Sequence, residues 1–184
     1  DIVMHSTSKY FGGHSDVIGG AVILKEENEL SENIHQIQHL SGGVPSPFDC
    51  WLVCRGIHTM HLRVKAQSKS AFELAKYLSQ HPEIELVNYP GLETHEGHEI
   101  AKKQMSDFGA MLSILIKGDA KRAMQIAEKL EYFGTATSLG GVESLVEHRK
   151  SVEGEASLTP QNLLRISVGL ENVEDLIGDW ERAL

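Results

Sequence analysis

Lys9 lies in a short polar segment that carries several groups able to bind a phosphate. Ser6, Thr7 and Ser8 come directly before the lysine, and Gly12-Gly13 follow it closely. Hydroxyls and backbone amides are the donors that a phosphate needs, and a lysine that can lose its proton forms an imine with a carbonyl compound. A single lysine is more often a solvated surface charge, so the spacing alone indicates only that both chemistries lie within one short segment.

Arg165 is the second residue whose position suggests a chemical role. Leu164, Ile166 and Val168 alternate with Arg165 and Ser167, which is the pattern of a half-buried strand with the arginine on its polar face. The planar fork of a guanidinium suits recognition of a carboxylate. The pattern by itself leaves three interpretations open: a surface arginine, a structural ion pair or a carboxylate-binding residue.

The histidines give little support for a metal site. The ten histidines include two pairs, His58 with His61 and His95 with His98, and the pairs lie in different predicted elements. A zinc site needs three or four converging ligands. We therefore expect no metal, and we interpret the histidines as surface or interface residues.

Composition argues against two classes of partner. Acidic residues outnumber basic ones 26 to 17, the net charge is −9, and no basic cluster is longer than Lys102-Lys103, so we expect no nucleic acid. No run of 18 apolar residues is present, so we expect no membrane span, and residues 1–5 lack the features of a signal peptide. Cys50 and Cys54 are badly placed for a disulfide, so we expect reduced, partly buried thiols and a cytoplasmic protein.

Two apolar runs flank the lysine segment. Residues 2–5 and 17–24 are rich in β-branched side chains and predict buried strands of an α/β sheet, with a loop over residues 6–16. Residues 26–40 are predicted to be helical, ending at Gly42-Gly43. Because two strands and one helix cannot bury themselves, residues 1–55 are interpreted as the remnant of a larger domain.

Residues 56–184 predict a second, self-sufficient α+β domain. The helix that leads into it starts from the N-cap Ser46, followed by Pro47 and Asp49, with an interruption expected near Gly56. An amphipathic stripe follows on that helix, formed by Ala71, Leu74, Ala75 and Leu78. The remaining predicted strands are at 84–87, 111–117 and 164–168. Two further helices are predicted, one capped by Asp119, with Ala120, Ala123, Met124 and Ala127 on its apolar face, and one capped by Asn172. Residues 149–162 are predicted to form a charged loop.

The stretch His5-Ser-Thr-Ser-Lys-Tyr-Phe-Gly-Gly-His-Ser-Asp-Val-Ile-Gly-Gly20 resembles the cofactor-lysine segment of the Cys/Met metabolism (trans-sulfuration) family of pyridoxal-phosphate (PLP) enzymes. Other motifs follow in the order of that family: Pro45-Ser-Pro-Phe-Asp49, Arg55-Gly-Ile-His-Thr59, Tyr89-Pro-Gly-Leu92, Phe108-Gly-Ala-Met-Leu-Ser113, Ser138-Leu-Gly-Gly-Val-Glu-Ser-Leu145 and Leu164-Arg-Ile-Ser-Val-Gly-Leu-Glu171. Several separate motifs in the same order make the resemblance specific.

The resemblance implies an α/β fold of the fold-type-I, aspartate-aminotransferase-like class. Residues 1–55 would end the large PLP-binding domain, and residues 56–184 would form the small C-terminal domain. Lys9 would be the catalytic residue that bonds to PLP, with Ser6 and Ser8 on its phosphate. Ser138 and Arg165 would bind the substrate, the arginine through the α-carboxylate.

The resemblance also implies partners. It covers only the second half of such enzymes, so we expect a missing N-terminal half, a homotetramer built from dimers, and no catalysis by this polypeptide alone. The activity implied is that of a trans-sulfuration or C–S bond enzyme acting on sulfur amino acids or homoserine esters.

Two positions and one segment depart from the family pattern. Ser8 replaces the usual threonine, Thr137 replaces a glutamate, and Arg149-Lys-Ser-Val-Glu-Gly-Glu-Ala156 replaces a proline and a Met-Thr-His segment. β-Elimination, γ-elimination and γ-replacement therefore stay open, with a cystathionine γ-synthase or cystathionine lyase type preferred. The alternatives are a non-catalytic, oligomerising C-terminal fragment and an unrelated metal or small-ligand binder.

Overall fold

A computed structural model describes residues 2–184 and divides the chain into two compact units, Asp1–Met60 and His61–Leu184. The sequence predicts the division after residue 55, and the assignment of 1–55 and 56–184 to a large and a small domain stays a prediction. Asp1, which belongs to the predicted first segment, lies outside the described residues.

The first unit begins with an antiparallel strand pair. Strand β1, Ile2–Ser6, pairs with β2, Gly20–Leu24, from Ile2 opposite Leu24 to Ser6 opposite Gly20. Between them the chain forms one helical turn, Thr7–Phe11, which we term the lysine turn. The expectation of a loop throughout 6–16 is therefore wrong, because the amides of Gly12 and Gly13 bond back to the carbonyls of Thr7 and Lys9.

The apolar side chains of this strand pair are exposed rather than buried. All five residues of β1 are exposed, and Met4 and Ile18 are 71% and 90% accessible. The prediction of buried strands is wrong for residues 2–60 taken alone, because these strands form a two-stranded ribbon, which has little apolar surface to share.

Two helices complete the first unit and lead into the second. Helix α1, Glu29–Ser41, is capped by Asn28 and ends at Gly42, whose φ of 71° is left-handed. Helix α2, Pro47–Gln80, begins where predicted, with the Asp49 amide donating to Ser46 Oγ at 3.1 Å. The helix runs through Gly56 without the expected break, since one glycine lowers helix stability by only about 1 kcal/mol.

The second unit is a five-stranded sheet with helices. The remaining elements are β3 (Ile84–Asn88), α3 (His98–Gln104), β4 (Met111–Ile116), α4 (Ala120–Lys129), β5 (Gly134–Thr135), β6 (Leu145–His148), α5 (Arg149–Glu153), β7 (Leu163–Ser167) and α6 (Val173–Ala183). The strand order is β3-β4-β7-β6-β5, and all neighbours are antiparallel except β5 and β6. The predicted loop at 149–162 thus starts with the short helix α5.

The core of the second unit lies where the periodicity predicts it. The α2 stripe is fully buried, as are the alternating residues of β7 and the side chains of Leu176 and Trp180: Ala71, Leu74, Ala75, Leu78, Leu164, Ile166 and Val168 have no exposed area. Asp119 caps α4 by accepting from the Arg122 amide at 2.9 Å. Met124, predicted on the buried face of α4, is 37% exposed. Within residues 2–184, no helix combines the length and apolar character needed to cross a bilayer.

Candidate functional site

The lysine turn holds Lys9 by its backbone on both sides. Lys9 is half-buried, with φ −97° and ψ −130°, and it interrupts an otherwise helical turn. Its carbonyl accepts from the Gly13 amide at 2.8 Å, while the Thr7 amide donates to Gly19 O at 2.9 Å. These bonds tie the turn to the chain that returns toward β2, so the backbone from which the Lys9 side chain extends is held by local structure.

Two glycines, Gly12 and Gly56, allow the lysine turn to pack without side chains in between. A Cβ on Gly56 of α2 would lie 2.3 Å from Phe11 O and 2.4 Å from Gly12 O. A Cβ on Gly12 would lie 2.4 Å from Val17 Cγ1. From the sequence, Gly12 is interpreted only as part of the segment that could bind a phosphate. The structure shows in addition that it packs inside this unit, which no local pattern indicates.

The predicted phosphate-binding hydroxyls differ in their surroundings. Ser6 is exposed at the end of β1. Ser8 Oγ accepts from the Gly19 amide at 2.9 Å and contacts Gly19 O at a weak 3.4 Å. Because the amide bond uses a lone pair of the hydroxyl, its O–H can still donate to a better acceptor than the carbonyl at 3.4 Å.

In the second unit, Arg165 lies in an ion pair with Glu147. The two residues are direct cross-strand partners on β7 and β6. Arg165 Nη2 donates to Glu147 Oε2 and to Ser138 O, both at 2.8 Å. The side chain of Arg165 is 24% exposed and that of Glu147 only 3%. The structure thus brings together two predicted residues, Arg165 and Ser138, and adds a glutamate that sequence reasoning missed.

Glu147 is shared between two arginines. Arg149 Nη1 donates to Glu147 Oε1 at 2.7 Å, and Arg149 Nε donates to Glu153 Oε1 at 2.6 Å. The hydrogen bonds that Arg149 donates to Glu147, and then to Glu153, raise the pKa of Arg149. Hydrogen bonds from Ser157, Thr159 and Arg149 lower the pKa of Glu153 to about 2. Four alternating charges therefore run from Glu153 to Arg165.

Ser138 occupies a strained backbone position. Its φ is +96°, a region that favours glycine, and a side chain there costs on the order of 1–3 kcal/mol. The turn that follows is held by the Gly140 amide on Ser167 Oγ at 3.1 Å and by the buried Gln67 Nε2 on Gly141 O at 2.6 Å. Such strain persists only where the surroundings enforce it, and here it directs the Ser138 carbonyl toward Arg165.

The potential metal ligands do not converge. Within residues 2–184, no group of three histidine, cysteine or acidic side chains is arranged to hold an ion. His95 Nδ1 accepts from the Gly97 amide, and His98 Nδ1 contacts Pro90 O at 2.8 Å, so this pair supports a turn. Cys50 and Cys54 are exposed on α2. The expectation that they are partly buried is wrong, since they lie in the part of α2 that belongs to the first unit, away from the buried stripe at residues 71–78.

The whole chain matches a protein family and its curated members. Residues 1–184 match the family model described as Cys/Met metabolism PLP-dependent enzyme. The chain is 46% identical over 189 residues to a cystathionine gamma-synthase of Mycobacterium tuberculosis, covering 100% of this chain and 48% of that protein. It is 42% identical over 193 residues to a cystathionine gamma-lyase of Dictyostelium discoideum, covering 100% and 49%.

A solved structure has the same fold. The crystal structure of cystathionine gamma synthase from Xanthomonas oryzae pv. oryzae in complex with cystathionine matches with a TM-score of 0.94 and 38% identity, over 100% of this chain and 49% of that one. This likeness confirms the predicted α/β fold of the fold-type-I class. The chain spans about half the length of the curated relatives it matches.

Proposed function

The chain belongs to the Cys/Met metabolism PLP-dependent enzyme family, and on this premise we propose that the full-length protein is a PLP-dependent lyase or transferase acting at a C–S bond. Sulfur amino acids or homoserine esters are the proposed substrates. The observation that carries this proposal is the family match over residues 1–184, which includes both the lysine turn and the Arg165 cluster.

Lys9, Ser6 and Ser8 are proposed to hold the cofactor. The Nζ amine of Lys9 would bond to PLP, and the two serine hydroxyls would donate to its phosphate. The residues fit this group, because Ser6 is exposed and Ser8 has only a weak 3.4 Å contact for its O–H. When bound, PLP supplies an electron sink for charge that develops on the substrate carbon.

Once the amine of the substrate has displaced it from the cofactor, the Lys9 amine is also proposed as the base that takes the proton from the substrate Cα. Proton transfer by a positioned side chain contributes about 10²–10⁴-fold to rate. The hydrogen bonds at Gly13 and Gly19 and the close packing at Gly56 support this role, because they fix the backbone from which the amine extends.

Arg165 is proposed to bind the α-carboxylate of the substrate, with Ser138 helping to orient it. The hydrogen bonds that Arg165 donates to Ser138 O and to Glu147 both come from Nη2. Since a guanidinium has five N–H donors, Nε and Nη1 retain three that make no hydrogen bond to residues 2–184. The 24% exposure of the side chain leaves these donors within reach of an incoming carboxylate.

The reaction type is proposed only as far as the residues support it. The relatives include a gamma-synthase and a gamma-lyase. Thr137 and the segment 149–156 depart from the family pattern, so β-elimination, γ-elimination and γ-replacement all stay open, with the cystathionine γ-synthase or lyase type preferred.

We further propose that activity needs the part of the relatives that has no counterpart in this chain, supplied by the same or another polypeptide. The exposed apolar side chains of β1 and β2 support this, because a ribbon with Ile2, Val3 and Met4 about half exposed or more is suited to further covering. A homotetramer built from dimers and a cytoplasmic location are part of the same proposal. The two exposed thiols support a reducing compartment.

The same exposed ribbon also favours the second candidate, a non-catalytic module that only folds and oligomerises. The two candidates are separated by product analysis. The full-length protein with PLP is incubated with cystathionine, cysteine, methionine and an O-acyl homoserine, and the products are identified by mass spectrometry. We expect cleavage or formation of a C–S bond with at least one substrate. Bound cofactor without any such product would contradict the enzymatic proposal and favour the module.

A further inference from the structure

The carboxylate of Glu147 is divided between two guanidinium groups. Oε2 accepts from Arg165 Nη2 at 2.8 Å, and Oε1 accepts from Arg149 Nη1 at 2.7 Å. The glutamate is almost fully buried, with 3% of its side chain exposed. A buried carboxylate with one arginine commonly forms two parallel bonds to it, whereas here each arginine receives a single oxygen.

We propose that Arg149 is a positioning residue for carboxylate recognition: by occupying one oxygen of Glu147, it limits that glutamate to a single-oxygen hold on Arg165. This inference rests on the proposed function of Arg165. Glu147 keeps the guanidinium in place, while Arg149 keeps Glu147 from competing with the substrate for the remaining donors of Arg165.

The charges of Arg165, Glu147 and Arg149 also support this role for Arg149. Arg165 and Glu147 alone sum to zero, and a neutral pair has little attraction for a further carboxylate. With Arg149 the three sum to +1, so the Arg165 end of the cluster again attracts an anion. Glu153 balances Arg149, but it lies on the side of Arg149 away from Arg165 in the chain of contacts and also accepts from Ser157 and Thr159.

The segment after β6 holds Arg149 in place. Glu153 bonds Arg149 Nε at 2.6 Å, Thr159 Oγ1 at 2.5 Å and Ser157 Oγ. Lys150 Nζ closes the same segment by donating to Glu155 O at 3.0 Å and to Ser157 O. The guanidinium is therefore fixed at two nitrogens, so little freedom is left for it to lose when a ligand binds.

This arrangement uses the residues in which the chain departs from its family. The resemblance places a proline where Arg149 stands, and a proline has no side chain that can donate to Glu147. The structure thus assigns a role to the divergent segment, namely setting how strongly Glu147 competes for Arg165.

The test uses the full-length protein with PLP and compares two competitive ligands, L-alanine and its decarboxylated counterpart ethylamine. Arg149→Gln is expected to weaken the binding of L-alanine and to raise the substrate KM about tenfold. The affinity for ethylamine and the kcat are expected to change less than twofold. Glu147→Gln placed in the Arg149→Gln background is expected to restore L-alanine binding, because the competing charge is gone. Arg149→Lys is expected to retain most of the affinity.

Two controls keep the outcomes distinct. Arg122→Gln removes another arginine with a glutamate partner, Glu83 at 2.9 Å, and is expected to leave both ligands unchanged. Arg165→Ala tests the proposed function itself. If this variant binds L-alanine as tightly as wild type, Arg165 does not bind the carboxylate. If Arg165→Ala weakens the binding of L-alanine but Arg149→Gln does not, only the role of Arg149 is overturned. The same holds if Glu147→Gln in the Arg149→Gln background weakens L-alanine binding further instead of restoring it. Should Arg149→Gln not fold, Arg149→Met replaces it in the same ligand comparison, and L-alanine binding as tight as in wild type would overturn the role of Arg149.

Discussion

Arg165 and Glu147 face each other across β7 and β6 and are joined by a 2.8 Å bond from Nη2 to Oε2. The arginine is therefore neither a solvated surface residue nor an unattached carboxylate receptor. It is a partly exposed cation held by a buried anion. Preorganisation of this kind lowers the entropy lost when a ligand is bound.

Replacing Arg165 by lysine keeps the charge and removes the planar fork of donors. We expect the KM for the amino-acid substrate to rise about 10- to 100-fold, corresponding to about 1.5–3 kcal/mol for hydrogen bonds to a charged group. Steady-state kinetics of the full-length protein measure this. Arg122→Lys, at a pair that is 40% exposed on both sides, is the matched control and should not change KM. An unchanged KM for Arg165→Lys would argue against carboxylate binding through the fork.

Replacing Gly56 by alanine should disturb the lysine turn. The new Cβ would meet Phe11 O at 2.3 Å and Gly12 O at 2.4 Å, so the backbone must shift, at a cost of about 1–3 kcal/mol. Denaturant unfolding gives the loss of stability, and PLP titration gives the effect on the turn. Gly178→Ala in α6, where no atom lies within 4 Å of the new Cβ, should instead stabilise by up to about 1 kcal/mol. Equal stabilities for the two variants would show that the contact at Gly56 is not tight.

Ser138 allows strain and side-chain chemistry to be separated. Glycine at this position removes both the hydroxyl and the cost of φ +96°, whereas alanine removes only the hydroxyl. We expect Ser138→Gly to be more stable than Ser138→Ala by about 1–2 kcal/mol in thermal unfolding. If the hydroxyl helps to orient the substrate, both variants should lose activity to a similar degree. A Ser138→Ala variant as stable as Ser138→Gly would show that the backbone relaxes here.

The stability of the segment around Glu153 should depend on pH. Its pKa is lowered from 4.5 to about 2 by hydrogen bonds from Ser157, Thr159 and Arg149. A group whose pKa is lowered on folding stabilises the folded state fully above its unfolded pKa, and this stabilisation is lost as pH falls through the folded pKa. The Tm difference between wild type and Glu153→Gln should therefore be constant above about pH 5, shrink as the pH falls and vanish only below about pH 2. Glu155→Gln, at an exposed glutamate of the same segment, serves as the control, and a difference that does not shrink between pH 5 and pH 2 would contradict the assignment.

The buried faces of helices and strands and the helix caps could be predicted, because they depend on residues that are close together in the sequence. The stripe on α2 and the alternation around Arg165 identified buried residues correctly, since periodic burial is written in the spacing of apolar side chains. The caps at Ser46, Asp119 and Asn172 were predicted for the same reason, because each bond joins residues two or three apart.

Glu147 was missed because its role depends on pairing across the sheet. In sequence it is a charged residue in the short run Leu145–His148, which carries too few residues for a period to be seen. Its partner Arg165 lies 18 residues away, and only the register of β6 against β7 brings the two together. The packing of Gly56 on the lysine turn is a contact of the same long-range kind. The burial of β1 and β2 within this chain was wrongly predicted, because apolar side chains in a strand do not show which other residues cover that strand.

The proposal that Lys9 carries the cofactor can be tested by locating the lysine to which PLP is bonded. The full-length protein is incubated with PLP, reduced with borohydride and digested, and mass spectrometry locates the attached pyridoxyl group. We expect the group on the peptide that contains Lys9 in wild type and in the control Lys25→Ala. In Lys9→Ala we expect no such group and a loss of turnover. A pyridoxyl group on another lysine of the wild-type protein, with Lys9 unmodified, would contradict the proposal.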